Sequence, residues 1–159
     1  MNDDYIFFWG GIYSQWYHAP FVINDIGYNC AEQYMMARKA FMFDDYSILH
    51  RIMQTPDPKE QKALGRKVHG FDATAWSEVA TMVVFRGNLA KFSQNDNLKA
   101  AILQSDNKII VEASPYDKIW GIGLAEDDPK RFDQENWLGK NLLGQVLMEV
   151  RGAIRDAEA

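Results

Sequence analysis

Residues 29–41 (NCAEQYMMARKAF) restrict the fold more than any other stretch, because they describe a helix with no face suited to water. At about 100° per residue, Glu32, Met36, Lys39 and Phe43 share one narrow sector, with Met35 beside them. Tyr34, Ala37 and Phe41 occupy the opposite side. A helix that is apolar nearly all round must be buried. A carboxylate and an ammonium on such a helix are costly unless they pair, hydrogen-bond or line a cleft. That conflict between pattern and burial is where a functional site is expected. Both charges also have structural readings. Asn29 reads as a helix cap with Glu32 at the third position of a capping box, and Lys39 reads as a chain whose head reaches water.

The rest of the chain is mainly helical. Residues 5–9 read as a strand ended by Gly10-Gly11, and residues 21–28 as a small hairpin turning at Asn24-Asp25-Ile26-Gly27. Asp44 or Asp45 caps a helix to about Gln54. Asp57-Pro58-Lys59-Glu60 starts another, ending near Gly65 or Gly70. A longer helix runs from about Thr74 to Phe92, with Trp76, Val79, Ala80, Val83 and Ala90 as its stripe. Gly87 within it marks a close approach by another backbone. Asn95 or Asp96 caps a short helix to about Gln104, and residues 109–111 form a buried strand. From about Asn141 the last helix buries Leu142, Leu143, Val146, Leu147, Val150 and Ile154. The pattern lacks strand–helix alternation, so the fold class is α+β, predominantly α-helical, with a small sheet and hairpin.

The 159 residues fit one compact domain, 1–159, long enough to bury about two thirds of the unfolded surface. A net charge of -5 argues against tight non-specific DNA binding, which needs many phosphate-neutralising cations. The one cysteine, Cys30, excludes an intramolecular disulfide and reads as a small buried residue. The acidic start, Met1-Asn2-Asp3-Asp4, is not a signal peptide, and no apolar run reaches the roughly 18 residues that span a bilayer. A cytoplasmic protein with no membrane partner is expected.

Besides Glu32 and Lys39, two stretches carry candidate chemistry. Residues 111–123 place Glu112, Ser114, Asp117 and Trp120 in a short loop that leaves a buried strand and runs into glycines. The alternative there is an Asx or Ser turn before a packed Trp. Residues 137–144 feed a glycine loop into a helix start whose free amides, with Lys140, can hold phosphate. The spacing matches no Walker loop or dinucleotide fingerprint, and an ordinary Asn141 cap competes with it. Lys59, Lys62, Arg66 and Lys67 form a basic cluster that reads first as solvated surface. His18, His50 and His69 are scattered, so neither a metal nor a cofactor is expected. No GxSxG motif supports a serine hydrolase.

Taken together, Phe8-Trp9-Gly10, residues 14–21, residues 28–39 with Ala31-Glu32-Gln33-Tyr34 and Lys39, Leu64-Gly65-Arg66, residues 87–92, the 111–124 segment and residues 137–148 with Asn141 and Gly144 resemble the NADAR, or YbiA-like, family. The resemblance runs through nearly the whole chain in order; the short amino-terminal segment Gly10-Gly11-Ile12-Tyr13-Ser14 departs from it. It implies a YbiA-like domain with N-glycosidase activity on a ribosyl C1′–nitrogen bond. One branch cleaves ribosylaminopyrimidine 5′-phosphates of riboflavin biosynthesis, and another removes ADP-ribose from guanine in nucleic acid. The substrate is then a nucleotide-like small molecule or an ADP-ribosylated nucleic acid.

On that reading Glu32 supplies the carboxylate near C1′. Lys39 neutralises a substrate charge or attacks C1′ to form an imine, and Asp117 holds ribose or donates a proton. Glu112 is a second candidate for the same two jobs, and Ser114 contacts the substrate. Trp9, Trp120 and Trp137 stack on the base, and Arg66, Lys140 and the Asn141 amide receive phosphate. A non-catalytic module for ADP-ribose or a related nucleotide is the main alternative, and a protein-interaction scaffold a third.

Overall fold

The structure is a computed structural model that describes residues 2–159. Met1, on which the reading of the amino terminus partly rests, lies outside the described residues. In chain order the elements are β1 (Tyr5–Phe8), β2 (Phe21–Ile23), β3 (Ile26–Tyr28), α1 (Ala31–Met42), α2 (Tyr46–Gln54), α3 (Pro58–Gly65), α4 (Ala73–Gln94), α5 (Asp96–Gln104), β4 (Ile109–Glu112) and α6 (Leu142–Glu158). Short 3-10 turns at Asn2–Asp4, Pro129–Phe132 and Gln134–Asn136 carry no strong periodicity and were not legible in the sequence. The class is α+β, mainly helical with a small set of strands.

The chain gathers into two compact units, 15–95 and a second made of 1–14 with 96–159. Local chemistry explains the helix starts of the first. Asp45 accepts from the Ile48 amide at 3.1 Å, Asp57 from Lys59 at 2.9 Å with Pro58 following, and Asp72 from Thr74 and Ala75. Each satisfies amides that the first helical turn leaves without a partner. The hairpin of β2 and β3 is antiparallel, Phe21 opposite Tyr28, and turns on Asn24 and Asp25 with φ of 52 and 66. Two successive left-handed residues give the primed turn that matches strand twist.

Helix α1 packs on α2, α3 and α4, which is why it could afford no wet face. Residues 31–37 and Ala40 are buried, whereas Phe41, expected inside, is 45% exposed because it lies past the end of that packing. The crossings are close. A Cβ on Gly65 would overlap the Met36 sulfur, and one on Gly87 would lie 2.9 Å from the Tyr34 ring. Gly87 therefore clears a side chain, and not the backbone expected from the sequence. The seam of α4 is also rotated from expectation: Ala80, Val84, Gly87, Asn88, Lys91 and Phe92 are buried, while Trp76, Val79, Val83 and Ala90 are only partly so. Polar Asn88 and Lys91 hold the seam, so an apolar count misses it.

In the second unit β1 and β4 pair in parallel, from Tyr5 opposite Ile109 to Phe8 opposite Glu112. Helix α6 packs on β4 and α5, burying Leu143, Val146, Leu147, Val150 and Ile154. Arg151, buried on the same helix, donates to the Ser105 hydroxyl at 2.9 Å and to the Lys108 carbonyl at 2.8 Å. Among the described residues no helix is long and apolar enough to cross a membrane.

Candidate active site

The entry to α1 differs from the expected capping box in a way that frees Glu32. Cys30, not Asn29, holds the cap position, and its side chain caps nothing. Gln33 takes the reciprocal role: its Oε1 accepts from the Asn29 amide at 2.8 Å and its Nε2 donates to the Ile52 carbonyl at 3.1 Å. Buried Gln61 completes the lock, donating to Asn29 Oδ1 and the Thr55 carbonyl and accepting from Cys30 Sγ at 3.2 Å. The Glu32 amide donates to the Gln15 carbonyl at 3.0 Å, so the carboxylate has no capping duty.

That carboxylate is only 7% exposed and accepts at Oε1 from the indole Nε1 of Trp16, 3.1 Å away. Burial raises its proton affinity above that of an ordinary glutamate. Against that act the charge of Lys62 first, then the Trp16 bond, Lys39 and Arg66. The net direction is upward. Lys62 is the stronger counter-charge, where the sequence had suggested Lys39.

Lys39 is half-buried, with Nζ 4.3 Å above the centre of the Phe71 ring. Burial lowers its basicity; Glu32 opposes this and Arg66 adds to it. Arg66 itself is exposed at the end of α3, one turn beyond Lys62. Glu32, Lys39 and Arg66, picked separately from the sequence, thus act on one another. With Lys62 counted, three cations act electrostatically on one buried carboxylate.

Lys91 and a groove in this unit were not singled out from sequence, whereas Cys30 was read as a small buried residue and is 1% exposed. Lys91 is fully buried, near Tyr17 and Phe92, and burial pushes its ammonium down to about 7. Cys30 is pushed up to about 11, mainly by burial, so its thiol stays neutral and is a poor nucleophile. An open groove of about 680 Å³ lies beside Phe21, Tyr28, Asn29, Gln33, Met53 and Gln94. It is not where the charges are. Gln94 is spent pairing both backbone groups of Val22, and Asn29 and Gln33 are spent on the α1 entry.

The other candidates belong to the second unit, and most are used by the fold. Ser114 Oγ accepts from the Tyr116 and Asp117 amides, and Asp117 Oδ1 accepts from Ile119 at 2.9 Å and Trp120 at 2.8 Å. These are the side-chain-supported turns that competed with a site there. Glu112, at the end of β4, and Trp120, in the loop that follows, are both half-buried. Trp9 is 46% exposed and meets Tyr116 edge-on, with ring centres 5.7 Å apart.

Trp137 is a packing residue. It donates to the Arg131 carbonyl at 2.8 Å, meets Tyr5 edge-on, and lies against Val111, Ile122 and Leu124. Its ring, expected to stack on a base, is half-buried against these residues. Asn141, expected to receive phosphate through its amide, is bonded on several sides. Its amide and those of Leu142 and Leu143 donate to Gly121, Ile119 and Trp120 carbonyls, leaving none of the three for phosphate. Its side chain does not cap α6 but bridges β4, accepting from Glu112 N and donating to Ile110 O, both at 3.0 Å. Lys140 is exposed, and its amide is bonded to the Lys118 carbonyl. Among the described residues no three His, Cys, Asp or Glu side chains gather as a metal site would require.

Sequence reasoning missed Trp16 and treated Lys62 as surface. The available signals were the polar-aromatic run Gln15-Trp16-Tyr17-His18 and the i, i+4 spacing of Lys62 and Arg66.

Comparison with known proteins bears on what this cluster does. The NADAR domain family model matches residues 7–155. The chain is 43% identical over 163 residues to N-glycosidase R617 of Acanthamoeba polyphaga mimivirus, covering 94% of this chain and 96% of that one. It is 31% identical over 134 residues to N-glycosidase Npun_R5314 of Nostoc punctiforme, covering 84% and 79%. The NMR structure of the E. coli protein YbiA superposes with a TM-score of 0.81 at 26% identity, covering 99% of this chain and 89% of that one.

Proposed function

The chain belongs to the NADAR domain family and is an N-glycosidase, and we propose that Glu32 is its catalytic carboxylate. The observation that supports this reading is a buried carboxylate with no capping duty, held by an indole N–H at 3.1 Å and acted on by the charges of Lys62, Lys39 and Arg66. In the reaction the C1′–N bond breaks and its electron pair leaves with the base, while positive charge develops at C1′ and the ring oxygen. Glu32 stabilises that charge and takes a proton from the attacking water, whose oxygen bonds to C1′. Its raised proton affinity makes it a stronger base than an ordinary carboxylate.

Lys39 acts as a fixed positive charge toward the substrate, held as a cation by the Phe71 ring and Glu32. A second job, attack on C1′ to form an imine with the opened sugar, is favoured by the burial that lowers its basicity. Lys62 and Arg66 bind the substrate's phosphate. The substrate is a free ribosylaminopyrimidine 5′-phosphate or close relative and not ADP-ribosylated nucleic acid, because three local cations on a chain of net charge -5 suit one phosphate better than a polymer. One catalytic domain over residues 1–159 and a cytoplasmic location are parts of the same proposal.

Purified protein given a ribosylaminopyrimidine 5′-phosphate and an ADP-ribosylated guanine oligonucleotide side by side should release base from the first. Release from the second alone reverses the substrate assignment. Calorimetric binding without release of base from either makes the protein a nucleotide-binding module. Borohydride under turnover decides between the two jobs of Lys39: a reduced substrate–Lys39 adduct means imine chemistry, and none means electrostatics.

A further inference from the structure

We infer that Trp16 is a positioning residue for the reaction, fixing the Glu32 carboxylate through its indole N–H so that the other carboxylate oxygen meets the ribosyl carbon. This rests on Glu32 being the catalytic carboxylate. The geometry is a single 3.1 Å bond from Nε1 to Oε1, but the segment that carries it is tied down on several sides. The Gln15 carbonyl accepts from the Glu32 amide at 3.0 Å, so the two residues are joined through backbone as well as side chain. The Gln15 side chain accepts from Asn88 Nδ2 at 2.8 Å, and Asn88 is fully buried on α4. Tyr17, on the other side, lies near the buried Lys91 ammonium. A buried carboxylate rotates about its last bonds unless something holds it, and misplacement of a reacting group by an ångström is costly.

The indole does this without supplying a charge. A Lys or Arg in its place would neutralise Glu32 and weaken it as a base, whereas a neutral donor orients it and leaves it anionic. Lys62, with Nζ 6.0 Å from the centre of the Trp16 ring, is the first of the charges acting on Glu32. The charged groups that act on Glu32 are Lys62 and Arg66 from α3 and Lys39 from its own helix. Lys91 of α4 acts on Cys30, two residues before it.

The test is W16F, which keeps an aromatic ring and deletes the donor. The Trp16 bond favours the ionised carboxylate, so its loss should move the acidic limb of the pH–kcat profile upward by about one pH unit. On the plateau above that limb kcat should fall about tenfold with KM nearly unchanged, since orientation is lost and binding is not. A limb that stays in place, or a KM that rises while kcat holds, overturns the inference and makes Trp16 a contact for substrate. If W16F does not fold, wild-type protein still answers. The Trp16 indole Nε1–H resonance should titrate with the midpoint of the acidic limb in wild-type protein and not in E32Q, and a resonance blind to pH in wild type overturns the inference. Failure of the parent reading looks different, because E32Q would then turn over normally whatever W16F does.

Discussion

The starts of α1 and α6 pose the same question in sequence, a polar residue leading a helix beside candidate chemistry, and they answer it oppositely. At α6 the capacity is consumed. Asn141 sits at φ 54, its amide and side chain are bonded to three backbone groups, and the next two amides are taken as well. At α1 the capping work passes to Gln33 and Gln61, and Glu32 is left buried, bonded to an indole and acted on by the charges of Lys62, Lys39 and Arg66. A polar residue at a helix start is a stronger functional candidate when its neighbours have already met the needs of the backbone. Where it meets them itself, the fold explains it.

That contrast can be broken from either side. The largest effect is expected at Gly144, where an added Cβ would collide with the Ile110 carbonyl and the Asn141 amide. Gly144→Ala should cost at least about 4 kcal/mol or prevent folding, measured as soluble yield and urea midpoint. Asn141→Ala should cost about 2–4 kcal/mol, because it leaves the Glu112 N–H and Ile110 C=O unpaired, while the folded fraction keeps its turnover. Loss of turnover without loss of stability would return Asn141 to the site.

Lys91→Met tests the buried cation of the first unit. The native ammonium loses its proton near 7, against 10.5 in the unfolded chain. Between those values the unfolded state binds more protons, so wild-type stability rises with pH there. The Met variant should flatten that rise and be more stable by about 1–3 kcal/mol at pH 6, read from denaturation at several pH values.

A smaller effect is expected for the stability of Glu32→Gln. The native carboxyl holds its proton more tightly than the unfolded one, so wild-type stability falls as pH rises through and above the ordinary carboxylate range. Gln should therefore melt about 2–4 °C higher at pH 7, with the advantage gone below about pH 4. A lower melting temperature at pH 7 would mean that the cations stabilise the charge more than burial penalises it.

Much of the fold was legible because its signals are local. Asp-Pro, the Asn24-Asp25 turn and the apolar stripes of α1 and α6 act within a few residues, and each element appeared close to where they put it. The α4 seam was misread because Asn88 and Lys91 fill part of it, beside Ala80, Val84, Phe92 and the Gly87 notch. In the candidate site, Glu32 and Lys39 stood out as charges on a helix with no wet side. Trp16 and Lys62 did not, since each looks ordinary in its own segment and gains meaning only by meeting Glu32 through the fold. Asp117 and Ser114 illustrate the reverse, residues rich in chemistry whose hydrogen bonds close a turn.

The most direct test is base release by purified Glu32→Gln protein, with its melting temperature taken on the same sample. A fall in kcat of about 10²–10⁴-fold in a protein that melts at or above the wild-type temperature is the expected result. Near-normal turnover in that folded protein would contradict the assignment of Glu32 as the catalytic carboxylate.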